Sequence, residues 1–253
     1  MSIKQELRKL LAVGADVYTQ ERQIQHQRIM QSEGLKNGIE RVVLLRNRVR
    51  SRASARKRER VRIGAITSVR HTLERAVKMN AKNIEIVFNV ALYLLLIDQD
   101  LAYFSNDIVC AIGDRRRAFV AKHEALLLHE AAEDIPQLLG RSFRNAIDAL
   151  GVPPDQIRTI NAVSSQLSKY WQQQRVFLSE IRNALAAHRE HDALRYAEEL
   201  DNLKPLEVMT RAAELSALLE LLVDELIKIA QLTSNPTIIL QDILDSGATD
   251  GAK

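Results

Sequence analysis

From residue 83 onward apolar residues recur every three or four positions, the period of α-helices that each bury one face. Ile84, Val87, Phe88, Ala91, Leu92 and Leu95, continued by Leu101, Phe104, Ile108 and Ile112, predict a long helix apolar around most of its circumference, and so an inner one. Gly113 and Asp114 read as its stop and the next helix's N-cap. That helix carries Ala121, Ala125, Leu128, Ala132, Ile135 and Leu139, and its seam runs on through Phe143, Ala146 and Leu150, with a kink or restart expected at Pro136. Gly151 and the pair Pro153-Pro154 close the segment, and Asp155 is the expected cap of the next helix.

The third long helix has the most regular seam: Ile157, Ile160, Ser164, Leu167, Trp171, Gln174, Leu178, Ile181, Leu185 and His188. A shorter helix is predicted from Asp192 to Leu203, and Pro205 suits the first turn of the last long helix, with Ala212, Leu215, Leu219, Leu222, Leu226 and Ile229 inward. Asn235-Pro236 ends it, and Ile238, Ile239, Leu240, Ile243 and Leu244 form a short docking turn before a loose tail. The sum is an all-α chain with a four-helix bundle of antiparallel long helices and short connections.

The first 82 residues follow a weaker pattern. Ile3, Leu7, Leu10, Val17 and Ile24 outline an amphipathic helix that fades into a Gln-rich stretch. A second helix starts near Ile39 and runs into the densest charge of the chain; beyond it Ile66, Val69, Leu73, Ala76 and Val77 restore a narrow seam, as in a helical hairpin or an intermolecular coil.

Composition supports the helical reading. Of 253 residues 46% are hydrophobic but only 4% aromatic, with 9 Gly and 5 Pro, which is enough apolar material for a core and too few turn residues for sheets. Cys110 is the only cysteine, so an internal disulfide is impossible and a Cys-based zinc site is not expected; no metal or cofactor is predicted. The N-terminus lacks a signal-peptide core, and Ile84 to Ile97 is too short and too polar to span a bilayer, so a cytoplasmic protein with no membrane partner is expected.

The net charge of +4 conceals a division. Residues 1–82 carry 20 Lys and Arg against 7 Asp and Glu, and residues 83–253 carry 16 against 25. Three parts follow: a basic helical arm over 1–82, a helical bundle over 83–234, and the docking turn with its tail over 235–253. The arm's centre holds Arg46, Arg48, Arg50, Arg52, Arg56, Lys57, Arg58, Arg60 and Arg62 with one acid among them, Glu59. Guanidiniums clustered in this way neutralise a phosphate backbone and gain affinity from counterion release. No aromatic interleaves with them, which points to backbone contact without base stacking.

Candidate chemistry is confined to the end of the third long helix, FLSEIRNALAAHREH over Phe177 to His191. Arg182, polar Asn183 and His188 are spaced as Arg-polar-x4-His, with Arg189 beside them. Arg117 and His123 repeat the bare spacing in RAFVAKH. With its helix order, the stretch resembles the HEPN domains, whose hallmark is an Arg followed by a polar residue and then His after four to six intervening positions. The resemblance implies a metal-independent endoribonuclease, a toxin or defence effector held by an antitoxin or nucleotidyltransferase partner. It implies catalytic roles for Arg182, His188 and Asn183, and phosphate binding by Arg189.

These residue types suit that chemistry. Imidazole exchanges protons near neutral pH, and a guanidinium offsets charge developing on phosphate oxygens. Six residues along a helix rotate by about 240°, so one copy does not aim Arg182 and His188 the same way. A homodimer with a composite site is therefore expected. The arm leaves two alternatives open: a non-catalytic nucleic-acid-binding adaptor, and a helical assembly protein.

Overall fold

A computed structural model of the chain describes residues 58–111, 113–186, 193–233 and 235–250. By its contacts Lys57–Lys253 forms a compact unit of its own, and all described residues belong to it. They are helical, with no strand among them: α1 over 58–79, α2 Lys82–Cys110, α3 Asp114–Leu138, α4 Arg141–Ala149, α5 Pro154–Ala186, α6 Ala193–Asn202, α7 Pro205–Leu232 and α8 Pro236–Asp250. None is long and apolar enough to cross a membrane.

The four long helices α2, α3, α5 and α7 meet around one core, and α3 touches each of the other three. Its sequence explains this place. The positions it buries include Ala118, Ala121, Ala125, Ala131 and Ala132, and such short side chains let neighbouring helix axes approach closely. Leu128 and Ile135, both fully buried, fill the spaces between. The helix α2 buries Ile84, Phe88, Leu94, Leu95 and Leu101 around most of its girth, as its pattern predicts, because α4 and α8 cover faces that α3 and α7 leave open.

Helix ends follow local chemistry. Asn80, at φ 57°, ends α1 in a Schellman turn, with the Ala81 amide donating to Ala76 O at 2.9 Å and the Asn80 amide to Val77 O at 3.2 Å. Gly151, at φ 67°, does the same after α4. Pro136 lies inside α3 without breaking it; the helix ends at Leu138, and the seam restarts in α4. The cap of α3 is Gly113 rather than Asp114, and Asp155 sits inside the first turn of α5, paired with Arg158. Pro205 opens α7, and the Asn235 side chain accepts from the Thr237 amide at 3.0 Å to start α8.

Two segments differ from their sequence reading. The last part of the predicted arm, α1, belongs to the compact unit: Ala76 is buried, Val69 and Leu73 pack against the core, and Val77 is exposed because Ala76 takes the inward position. The docking turn is a full helix, α8, which sets Ile238, Ile239 and Ile243 against the core. Its Asp242, buried, reaches the start of α2, where no local side chain caps the helix; Oδ2 accepts from the Ile84 amide at 3.1 Å, and Oδ1 from Asn83 Nδ2 at 2.7 Å. A carboxylate there satisfies open amides and sits at the positive end of the helix dipole.

Candidate functional site

Arg182 and Asn183 stand exposed on the last turns of α5. His188 and Arg189 lie outside the described residues, as do Arg46, Arg48, Arg50, Arg52, Arg56 and Lys57 of the arm. Of the remaining arm residues, Arg58 and Arg60 are exposed, whereas Arg62 is half-buried and pairs with Asp98 of α2 at 2.6 Å. Arg62 thus spends its charge inside the unit, and beside it the Glu59 carboxylate accepts from Tyr103 Oη at 3.0 Å.

The second Arg-His spacing is structural. Arg117 donates from Nε to the Ala111 carbonyl at 3.3 Å and pairs with Asp114, tying the α2–α3 turn. His123 packs edge-on against Phe119 and faces Phe104.

Arg182 has a neighbour that its motif does not name. Positions 171, 175, 179 and 182 fall along one stripe of α5, and opposite them α3 presents His129, only 3% exposed. Its Nε2 lies 3.3 Å from Ser179 Oγ, and its ring meets Trp171 edge-to-face with centroids 5.1 Å apart. The other nitrogen, Nδ1, is buried without a hydrogen bond; Glu133 Oε2 is 3.8 Å away, beyond bonding distance. Burial pushes the His129 pKa down, and the positive charge of Arg182 pushes it further, with a smaller push from Arg175; Glu133 and Glu130 act the other way. The result is a neutral imidazole behind a serine hydroxyl, on the stripe that carries Arg175 and Arg182.

This cluster can position a hydroxyl and attract an anion. It is not built for acyl transfer, because mid-helix amides in α3 and α5 are used by the helices themselves and leave no backbone donors for an oxyanion. Among the described residues no three His, Cys, Asp or Glu side chains are grouped to hold a metal ion.

His129 and Ser179 are absent from the sequence-based site, although one signal was available. His129 lies four residues after Ala125 and three before Ala132, on the buried stripe of α3. The spacing marks it as inward but does not reveal that α5 brings a serine and Arg182 to meet it.

A second buried polar group crosses α2 and α3. Glu124, fully buried, accepts from Ser105 Oγ at 2.5 Å, while its Oε2 has no partner. Burial raises its pKa to about 7, against a lesser lowering by Ser105. Nearby on α3, Lys122 reaches α6, with Nζ 3.3 Å from Tyr196 Oη and 4.9 Å from that ring's centroid. On the α5–α7 side, Arg211 bonds Gln174 at 2.8 Å, stacks over Phe177 at 3.7 Å and pairs with Glu207 at 3.0 Å, so its charge is compensated within the bundle. No family model matches the chain, and no curated protein or solved structure matches it either.

Proposed function

We propose that this protein is a HEPN-type, metal-independent endoribonuclease in which Arg182 and Asn183 hold the scissile phosphate and His188 exchanges protons, within a composite site of a homodimer. The observation that carries the reading is the exposed Arg182-Asn183 pair at the end of α5, in an all-helical unit whose four long helices share one core. The cut begins when a base takes the proton of the ribose 2′-OH. The O2′–P bond then forms, the P–O5′ bond breaks, and an acid protonates the departing 5′ oxygen. The products carry 2′,3′-cyclic phosphate and 5′-hydroxyl ends, and Arg182 offsets charge on the non-bridging oxygens as it builds.

The test is incubation of mixed RNA with the full chain in EDTA, with the ends of the products analysed. Cyclic-phosphate ends that fall by about 100-fold or more in Arg182→Ala and His188→Ala support the reading. Undiminished cleavage in both variants, or none with the unmodified protein as a dimer, rules it out.

A second reading, RNA binding without cleavage, draws on Arg58 and Arg60, which are exposed while their neighbour Arg62 is paired. It predicts salt-sensitive RNA binding that Arg58→Glu with Arg60→Glu weakens and Arg182→Ala leaves unchanged.

A further inference from the structure

Between α1, α2 and α7 runs a groove of about 530 Å³, a size typical of small-molecule sites. Its floor is apolar and buried: Ala76, Ile84, Val87, Phe88 and Ala91, with Leu226 from α7. Its lip is polar, with exposed Ser68 and Arg75 on α1 and exposed Gln231 on α7. Among the described residues no Asp or Glu lines it.

Among the described residues Arg75 is the one cation on that lining, and no described carboxylate pairs with it. The acid next to it in sequence, Glu74, is engaged by Arg70 at 2.9 Å and faces His71 at 3.7 Å. The face of α1 turned to the groove, positions 65, 68, 72, 75 and 79, therefore offers small or apolar side chains and one guanidinium that no described carboxylate compensates. Such a trough complements a molecule with an apolar tail and an anionic head, whose tail covers the floor while its head meets Arg75 at the edge of solvent.

We propose that this groove binds a long-chain carboxylate, with the chain along Val87, Phe88 and Ala91 and the carboxylate on Arg75. The site is separate from the α3–α5 cluster and does not depend on the ribonuclease reading.

Calorimetric titration of the full chain with dodecanoate and dodecanol, below their aggregation limits, tests it. Dodecanoate is expected to bind saturably, one per chain, and dodecanol more weakly. Arg75→Glu is expected to weaken dodecanoate about tenfold or more while leaving dodecanol unchanged, since it removes a charge-assisted contact and adds repulsion. Ser68→Trp, which fills the groove from its lip, is expected to remove both. Both substitutions sit at exposed helical positions, and circular dichroism checks that the fold survives. The proposal is overturned by absent saturable binding, by equal loss of both ligands in Arg75→Glu, or by Ser68→Trp binding as the unmodified protein does.

Discussion

Across the α3–α5 interface, His129 Nε2 and Ser179 Oγ lie 3.3 Å apart, three residues before the exposed Arg182 on the same face of α5. A buried imidazole is thereby coupled to the residue on which the proposed chemistry depends. Burial and the Arg182 charge both hold it neutral, so the folded state resists its protonation.

Removing that charge should be visible in the imidazole. Arg182→Gln is expected to raise the His129 pKa toward its ordinary 6.5, read from histidine ring resonances during an NMR pH titration. The lowered pKa also sets the sign of a stability effect: the contribution is full above about 6.5 and is lost as pH falls below it, where the unfolded state takes up a proton that the native state refuses. An unchanged titration in Arg182→Gln would show that the two groups are not coupled.

Glu124 works in the opposite direction. With its pKa at about 7 rather than 4.5, the native state keeps a proton that the unfolded state releases, so stability declines as pH rises from about 4.5 to about 7 and stays lower above that. Glu124→Gln retains an acceptor for Ser105 and cannot ionise. It should stabilise the protein above pH 7 by about 1–3 kcal/mol and have little effect below pH 4.5, measured by urea unfolding at several pH values. A variant whose stability tracks the unmodified protein at every pH contradicts this account.

Loss of the remote cap should be costly because three donors lose their acceptor. Asp242→Ala strands the amide of Ile84 and both donors of Asn83, and is expected to lower unfolding free energy by about 1–3 kcal/mol. Asp242→Asn, which keeps one oxygen, should lose less. Equal stability of Asp242→Ala and the unmodified protein in denaturant melts would place the cap's contribution at zero.

The centre of the core and its edge should respond unequally to truncation. Leu128→Ala, at a fully buried position of α3, should cost about 2–5 kcal/mol, whereas Leu206→Ala, at a residue 75% exposed, should change stability by less than about 0.5 kcal/mol. Denaturant midpoints of the two variants check the contrast.

Much of the fold was legible because periodicity reports directly which side of a helix is buried. The inward stripes of α3 and α7 appear in the sequence residue by residue, from Ala121 to Ile135 and from Ala212 to Ile229, and Pro205 marks the start of α7. Contacts between helices were not legible, because a stripe does not name its partner. Arg62 reads as one more arm guanidinium until Asp98 is found beside it, and Asp242 looks like a tail residue until α8 folds it onto α2. The same holds for the candidate site: Arg182 and Asn183 stand out by spacing, whereas His129 and Ser179 become its neighbours only through the packing of α3 on α5.

The Asp242 cap also has a bearing on biosynthesis. Ile84 and Asp242 are 158 residues apart, so at about 5–20 residues per second the ribosome supplies the capping carboxylate roughly 10–30 s after the amide it serves. During that interval the first turn of α2 has its donors open to water, and the nascent helix is free to fray from that end until the last helix is made.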